Sequence, residues 1–270
     1  MTPRINFRTD YSGVPIVSKK DLDHLGEEII GDFCAEAVIE PMAIDIERFI
    51  QSYLGLEQDF QHLSSNGVYL GMTVFNDTNK VPVYDPETGR AEYISAKAGT
   101  VLIDHRLLEE NQGNRYRFTL AHESSHTILH ASSFTYNPDQ TCLFEVEDIP
   151  MIRCRMAELA YGPRKPVSQW TAKDRVEWQA NRLSSAILMP KKMVDKLVSD
   201  RNREPPHSEE GTSPARTLCQ SLETVSLVSE TFKVSKEAAI YRLQDLNLIP
   251  RNTDKAVLCG TRDFLDVIVD

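Results

Sequence analysis

Positive charge is scarce in this 270-residue sequence, which has 30 Lys and Arg against 40 Asp and Glu, a formal net charge of −10 at pH 7. Proteins that coat nucleic acid need a local excess of Lys and Arg to neutralise phosphate groups. The composition therefore argues against a protein whose main role is to coat nucleic acid, although it leaves room for a small basic patch.

Long apolar runs are also missing. The sequence contains no stretch of about 18 or more apolar residues, which is the length that predicts a transmembrane helix. The N-terminus, MTPRINFRTD, is polar and contains Pro3, unlike a secretory signal peptide. We therefore expect a soluble, cytoplasmic protein.

Cysteines are few, odd in number and far apart, and no two form a C-x-x-C pair. This spacing indicates free thiols, which fits a reducing compartment. The five are Cys34, Cys142, Cys154, Cys219 and Cys259.

One short stretch carries recognisable chemistry: RYRFTLAHESSHTILH, from Arg115 to His130, contains an H-E-x-x-H array. On an α-helix, His122 and His126 lie one turn apart on the same face, so both imidazoles can reach one ion, and Glu123 faces the same cavity. The flanking residues are apolar and no Pro or Gly interrupts the stretch, which predicts a buried helix. Because buried histidines need partners, the pattern favours a metal site over a solvated helix surface.

Zinc in a catalytic site takes three protein ligands and keeps one position for water, so a third ligand must lie elsewhere. The metzincin spacing is excluded, because Ser132 stands where its third His would be. His130 remains open as a ligand, although it would point beside the ion. Glu177 is the better candidate, because DRVEWQANRLSSAILM, from Asp174 to Met189, has helical apolar spacing and ends at Pro190.

These motifs resemble those of the ImmA/IrrE metallopeptidases, which read RFTLAHELGH and ExxANxFAxxLLMP. The present sequence has RFTLAHESSH followed by EWQANRLSSAILMP, and further similarity lies in PMAIDIERFI and FKVSKEAAIYRLQDLNLI. Ser124 and Ser125 replace the usual Leu and Gly, and Leu183 replaces Phe. None of these three positions is a ligand position.

The resemblance implies an α+β, zincin-like fold in which a small sheet accompanies the active-site helix and a ligand helix. It implies a zinc cofactor with a gluzincin-type ligand set, His122, His126 and Glu177, and Glu123 as the general base. It also implies the substrate, a helix-turn-helix transcriptional repressor. Asn181 lies one helical turn beyond Glu177, where it is a candidate to hold a ligand histidine in the correct tautomer.

The stretch before the zinc motif predicts helices between Lys20 and Leu54, followed by short strands separated by turns. In zincins an extended peptide can add to an edge strand above the metal. We expect the strand nearest the motif in sequence to be that edge. The predicted strands are Val68–Phe75, Val81–Tyr84, Tyr93–Ser95 and, as the edge, Thr100–Ile103.

Between the two motifs, Ala131 to Lys173 contains irregular polar pieces and predicts loops around the cleft. Tyr136 is the candidate for a phenol that stabilises an oxyanion, with Tyr161 as the other possibility. For each, an ordinary surface or core tyrosine is the competing interpretation.

The run from Ser199 to Ala215 is polar, contains three prolines and lacks apolar periodicity. We therefore divide the chain into a zincin-like unit (1–199), a linker or exposed loop (200–215) and a helical C-terminal subdomain (216–270). Two apolar helix faces joined by FKVSK, with Ser235 as N-cap, resemble a helix-turn-helix.

DNA binding by this subdomain is possible but not favoured, because the stretch from Arg216 to Ile249 contains as many acidic as basic residues. A structural or partner-docking role is the stronger interpretation. The side chains with the chemistry to meet DNA are Lys236, Tyr241, Arg242 and Gln244.

The sequence thus predicts a zinc-dependent endopeptidase. The resemblance to the ImmA/IrrE metallopeptidases implies that it cuts a helix-turn-helix repressor and so derepresses stress-response or mobile-element genes. One alternative is a DNA-binding regulator whose zincin-like domain senses metal. Another is a non-catalytic docking module, which an intact Glu123 argues against. Whether zinc or manganese is the native metal stays open.

Overall fold

The computed structural model describes residues 7–134, 151–155, 166–202, 214–251 and 258–259. Tyr136 and Tyr161, the candidates for an oxyanion-stabilising phenol, lie outside these residues, as does Cys142. The described cysteine side chains, Cys34, Cys219 and Cys259, are free thiols.

The first helix, α1, spans Lys19–Phe33 and begins at a capping box formed by Ser18 and Asp21. A short α2, Ile46–Arg48, continues as a π-helical turn, Phe49–Tyr53. Both fall where apolar periodicity predicted helices. Their buried faces include Leu22, Leu25, Ile29, Ile46, Phe49 and Ile50.

Six strands are described, two more than the sequence predicted. Four form a mixed sheet in the order β1-β5-β2-β6, in which β1 is parallel to β5 and the other pairs are antiparallel, while β3 and β4 form a separate hairpin. The strands are β1 Glu57–Gln61, β2 Tyr69–Val74, β3 Thr78–Asp85, β4 Arg90–Ala96, β5 Thr100–Asp104 and β6 Met151–Arg155.

The prediction that Thr100–Ile103 forms the sheet edge is wrong. This segment is β5, which lies between β1 and β2, and each of its five residues is buried. The apolar sequence Val101-Leu102-Ile103 suits a strand covered on both faces, which is the pattern of an interior strand. Within the described sheet the edges are β1 and β6.

The remaining helices are α3 Gly113–Phe134, α4 Ala172–Leu188, α5 Lys191–Asn202, α6 Pro214–Phe232 and α7 Lys236–Asp245. Helix α3 packs against α4 and against β2 and β5, so it lies between the sheet and the helical layer. Helix α4 packs in turn against α1, where a Cβ on Gly26 would approach that of Ala186 to 2.7 Å. The α+β class predicted from the sequence is confirmed.

The C-terminal helices share the apolar core of the rest of the chain. Ser235 caps α7 as predicted, its side chain accepting a hydrogen bond from the Ala238 amide. Of the predicted linker (200–215), the parts that the structure describes are helical: α5 continues to Asn202 and α6 begins at Pro214. Core residues from these helices include Val225, Val228, Phe232, Ala239 and Leu243, in the cluster that also holds Leu22, Leu183 and Ile187.

Among the described helices, none is both long enough and apolar enough to cross a membrane.

Candidate metal centre

Helices α3 and α4 bring three potential ligands together where they pack. His122 and His126 are fully buried on successive turns of α3, and their Nε2 atoms lie 2.9 Å apart. Glu177, on the second turn of α4 and 7% exposed, places Oε2 at 3.3 Å from His122 Nε2 and 3.7 Å from His126 Nε2. This buried group could hold a metal ion.

The carboxyl of Glu177 stays ionised in this setting. Burial alone raises its pKa, but the electrostatic interaction with His126 and the hydrogen-bonding contacts of both imidazoles outweigh burial and hold the pKa below its ordinary value. A buried carboxylate is therefore directed at the same point as the two Nε2 atoms.

Asn181 contacts the far side of the first histidine. Its Oδ1 lies 3.0 Å from His122 Nδ1, one helical turn along α4 from Glu177. A proton on Nδ1 satisfies this contact and leaves the Nε2 lone pair directed at the ligand cluster. This is the position that the sequence suggested for Asn181.

His126 has a different partner on its far side. Its Nδ1 lies 3.1 Å from His130 Nδ1, and His130 Nε2 lies 2.9 Å from Gln179 Oε1. Burial and, to a smaller extent, the neighbouring His126 lower the pKa of His130 to about 3, so this imidazole is neutral. Because it contacts the edge of His126 that faces away from Glu177, His130 lies outside the group of three.

The donor set tests whether a metal fits. Two imidazole nitrogens acting as acceptors and lying 2.9 Å apart would repel each other without a cation between them, and a carboxylate oxygen completes the group. Two nitrogens and one oxygen form a set that zinc takes in catalytic sites, with a position left for water. The set also accommodates other divalent transition metals, so the geometry does not identify the ion.

Glu123 follows the first ligand on α3 and is fully buried. The hydroxyl of Thr73, on β2, lies 2.5 Å from Glu123 Oε2 and 3.1 Å from the Glu123 carbonyl oxygen. By donating to the carboxylate, Thr73 fixes the rotamer of the predicted general base. Sequence reasoning missed this contact, whose only signal was a polar residue in an otherwise apolar strand.

Gly71 permits the close approach of β2 to α3. A Cβ at this position would lie 2.5 Å from Glu123 Oε1 and 2.8 Å from Thr119 Cγ2. Gly71 and Thr73 share one face of the strand, because side chains two residues apart point to the same side. Any side chain at position 71 would therefore push on Glu123.

The C-terminal side chains proposed as DNA contacts are mostly covered. Arg242 is 1% exposed, donating from Nη1 to Asp23 Oδ1 at 2.5 Å and from Nε to the Met189 carbonyl oxygen at 3.0 Å. Gln244 is also buried. Neither could meet a phosphate or a base without displacing α7 from the core, which leaves Lys236 and Tyr241.

Comparison of the sequence with protein-family models and with curated proteins gives no match.

Proposed function

We propose that the protein is a zinc-dependent endopeptidase. The observation that carries the proposal is the convergence of His122, His126 and Glu177 on one buried point, with the carboxylate of Glu123 beside it on the same helix and held by Thr73. A group of ligands alone would be enough for a site that only stores a metal ion or stabilises the fold. A further carboxylate that is not among the ligands supplies a base.

A divalent metal such as zinc, when bound, polarises a peptide carbonyl and makes a water molecule more acidic. Glu123 accepts the proton of the attacking water at a carboxylate oxygen, then gives that proton to the departing amide nitrogen as the C–N bond breaks. Asn181 keeps the His122 ring in place through this cycle. Burial of the site keeps bulk water away from the reacting groups.

The zincin-like identity of the fold is part of the proposal. Its support is a helix with the H-E-x-x-H array packed between a mixed sheet and a second helix that carries the carboxylate. With β5 in the sheet interior, β6 becomes our candidate for the substrate-binding edge strand. It pairs with β2, the strand of Thr73, and lies at an edge of the described sheet, where an extended peptide can add.

The substrate assigned here is a helix-turn-helix transcriptional repressor, cut to derepress the genes it controls. This step is supported by the resemblance of the two motifs to the ImmA/IrrE metallopeptidases. The competing assignment, a DNA-binding regulator, loses support from the burial of Arg242 and Gln244. A non-catalytic docking role would give no reason for Thr73 to hold Glu123 beside the ligands.

The test is Glu123→Gln, which keeps the shape of the side chain but removes proton acceptance. Loss of a general base typically costs about 10²- to 10⁴-fold in rate, while the three ligands remain. We expect unchanged metal content and loss of cleavage. The measurement is co-expression with a helix-turn-helix repressor encoded beside the gene, followed by mass measurement of both proteins and metal analysis.

Glu177→Ala is the companion variant, and it should lose both metal and cleavage. Two repressor fragments with the wild type and an intact repressor with both variants would support the enzyme. If the repressor stays whole with the wild type while its regulated genes are still expressed, the protein acts by binding and the enzymatic proposal is wrong.

A further inference from the structure

A chain of hydrogen bonds, hereafter the His126 chain, leads from the second ligand to the N-terminal segment. His126 Nδ1 contacts His130 Nδ1 at 3.1 Å, His130 Nε2 contacts Gln179 Oε1 at 2.9 Å, and Gln179 Nε2 contacts the Pro15 carbonyl oxygen at 2.6 Å. Both histidines are fully buried and Gln179 is 2% exposed. The proposed mechanism assigns no role to His130, Gln179 or the Pro15 carbonyl.

The far end of the chain fixes the direction of every bond in it. The carbonyl of Pro15 can only accept, so the amide NH₂ of Gln179 faces it and the amide oxygen faces His130. That oxygen also only accepts, so Nε2 of His130 carries the proton. A neutral imidazole protonated at Nε2 has its lone pair on Nδ1, which therefore accepts from His126.

The direction of these hydrogen bonds determines which nitrogen of His126 can bind a metal. Because His126 donates from Nδ1, its neutral ring has the lone pair on Nε2, the atom that lies 2.9 Å from His122 Nε2 and faces Glu177. Asn181 does the same for His122 from the other side. The two ligand histidines are thus held in the same tautomer by separate partners.

We propose that His130 is a positioning residue for the metal centre, which holds His126 in the orientation and tautomer that bind metal, and that Gln179 and the Pro15 carbonyl fix His130 in turn. The inference rests on the proposed metal site. It explains why a third histidine is buried on α3 although it is not directed at the ligand cluster. Partners of this kind typically change metal affinity by about 10- to 100-fold.

The segment that carries Pro15 is itself fastened to the two ligand helices. Residues 8–16 fold back through a bridge between Thr9 and Pro15. On α3, the Ser133 hydroxyl donates to the Gly13 carbonyl at 2.5 Å, and on α4, Arg175 pairs with Asp10 at 2.7 Å. The Pro15 carbonyl is therefore held relative to α3 and α4, and the end of the His126 chain has a fixed position.

Two substitutions at position 130 separate hydrogen bonding from packing. His130→Leu fills much of the same space but cannot accept from His126, whereas His130→Asn places Oδ1 close to the position of the native Nδ1 and can accept. Gln179→Met removes the group that fixes His130 and leaves His130 itself intact. Leu129→Ala removes a buried side chain from the neighbouring position of α3 and is the control for loss of packing.

The measurements are the dissociation constant for Co²⁺ or Zn²⁺, from competition with a chelator, and the visible absorption spectrum of the Co²⁺ protein. We expect His130→Leu to weaken metal binding by about 10- to 100-fold and to alter the Co²⁺ bands. His130→Asn should recover most of the affinity, Gln179→Met should show an intermediate loss, and Leu129→Ala should bind as the wild type does.

The inference fails if folded His130→Leu and Gln179→Met proteins bind Co²⁺ with wild-type affinity and spectrum. It also fails if Leu129→Ala weakens binding as much as His130→Leu, since packing alone would then explain the effect. If His130→Leu does not fold, the inference is tested by comparing the metal affinity and Co²⁺ spectrum of Gln179→Met with those of the wild type. A wild-type protein that binds neither metal overturns the proposed function itself.

Discussion

Helix α3 buries an unusual number of polar side chains, and each has to be satisfied inside the protein. A buried polar group without a partner costs roughly 1–3 kcal/mol. The two serines of the H-E-x-x-H array meet this requirement locally: Ser124 Oγ donates to the Leu120 carbonyl and Ser125 Oγ to the Ala121 carbonyl, each at 2.7 Å. Both hydroxyls are therefore satisfied within α3 and need no partner from the metal centre.

Gly71 is the position where one added methyl group tests the proposed base. In Gly71→Ala the new Cβ would lie 2.5 Å from Glu123 Oε1, against a buried strand that has little room to move. We expect Glu123 to be displaced, with cleavage reduced by about tenfold or more. Metal content should be retained, because the three atoms nearest to the added Cβ belong to Glu123 and Thr119 and not to a ligand. Overpacking should also destabilise the fold by about 1–3 kcal/mol.

Gly31→Ala on α1 provides the matched control. Its Cβ would have ordinary contacts, the nearest at 3.6 Å from Val38, and Ala is favoured over Gly within a helix by about 1 kcal/mol. This variant should be fully active and slightly more stable in urea unfolding. Equal cleavage rates for Gly71→Ala and Gly31→Ala would show that the approach of β2 does not position Glu123.

Among individual residues, the sequence predicted the relative positions of those that are spaced by about one helical turn. His122 and His126 follow from spacing on one helix, and Asn181 follows from its distance from Glu177 on another. Thr73 has no such signal, because its contact with Glu123 depends on how β2 packs against α3. The same holds for the Pro15 carbonyl, a backbone group that can come from any residue type.

Among the helices, α7 is held by three ion pairs, of which two are largely shielded from solvent. Arg242 pairs with Asp23 of α1, while Asp245 pairs with Arg182 of α4 and, at 2.7 Å, with Lys19 of α1. The side chain of Asp245 is 11% exposed and that of Arg182 is 6% exposed. The Asp245–Arg182 pair connects α7 to the ligand helix α4 next to Asn181, and the other two pairs connect α7 to α1.

Asp245 gives this connection a pH dependence. Burial raises the pKa of the carboxyl, but the hydrogen bonds from Arg182 and Lys19 outweigh burial and lower the pKa below its ordinary value. A lowered pKa in the folded state contributes stability above the unfolded pKa of about 3.9. That contribution is lost as the pH falls through the folded pKa.

Asp245→Asn should therefore destabilise the protein by about 1–3 kcal/mol at pH 7, because Arg182 keeps its buried charge without a counter-charge. The difference from the wild type should stay constant between about pH 5 and 8. It should shrink as the pH falls below about 4, because the carboxyl is then protonated in the unfolded wild-type chain before it is protonated in the folded protein. Urea unfolding of both proteins between about pH 3 and 8 measures this difference in the free energy of unfolding.

Lys19→Met is the control for this prediction. The Lys19 side chain is 54% exposed, so its pair with Asp245 is screened by solvent and its loss should cost less than about 1 kcal/mol. A stability difference between Asp245→Asn and the wild type that persists unchanged at pH 3 would show that the effect is one of shape and not of charge.

The strands were harder to predict than the helices. The sequence of β1, EQDFQ, is polar enough to pass for a loop, yet it pairs with β5 along its whole length. The position of β5 in the sheet interior depends on that pairing, which joins segments about 40 residues apart. Local sequence patterns therefore predicted four strands correctly, but they wrongly placed Thr100–Ile103 at the edge of the sheet.

For the whole molecule, the question is whether the C-terminal helices form a separate unit or complete the core. Val225, Val228, Phe232, Ala239 and Leu243 belong to one apolar cluster with residues of α1 and α4. Burial of one large apolar side chain contributes roughly 1.5–3 kcal/mol, and a domain is stable by only about 5–15 kcal/mol. Losing this set of contacts would remove a free energy comparable to the entire stability.

A chain that ends at Asn202 should therefore fail to fold on its own and should not bind metal. The apolar cluster that includes Leu183 and Ile187 of α4 loses its C-terminal members, and Arg182, on the same helix as Glu177, loses Asp245. Co-expression of residues 1–202 with residues 214–270 should restore both properties, since every contact described between the two parts is non-covalent. Circular dichroism, thermal unfolding and metal analysis of the short chain, the fragment pair and the full chain make the comparison. If the short chain unfolds cooperatively near the full-length melting temperature and binds one metal ion, the polar run at 200–215 marks a true domain boundary and the shared core is dispensable.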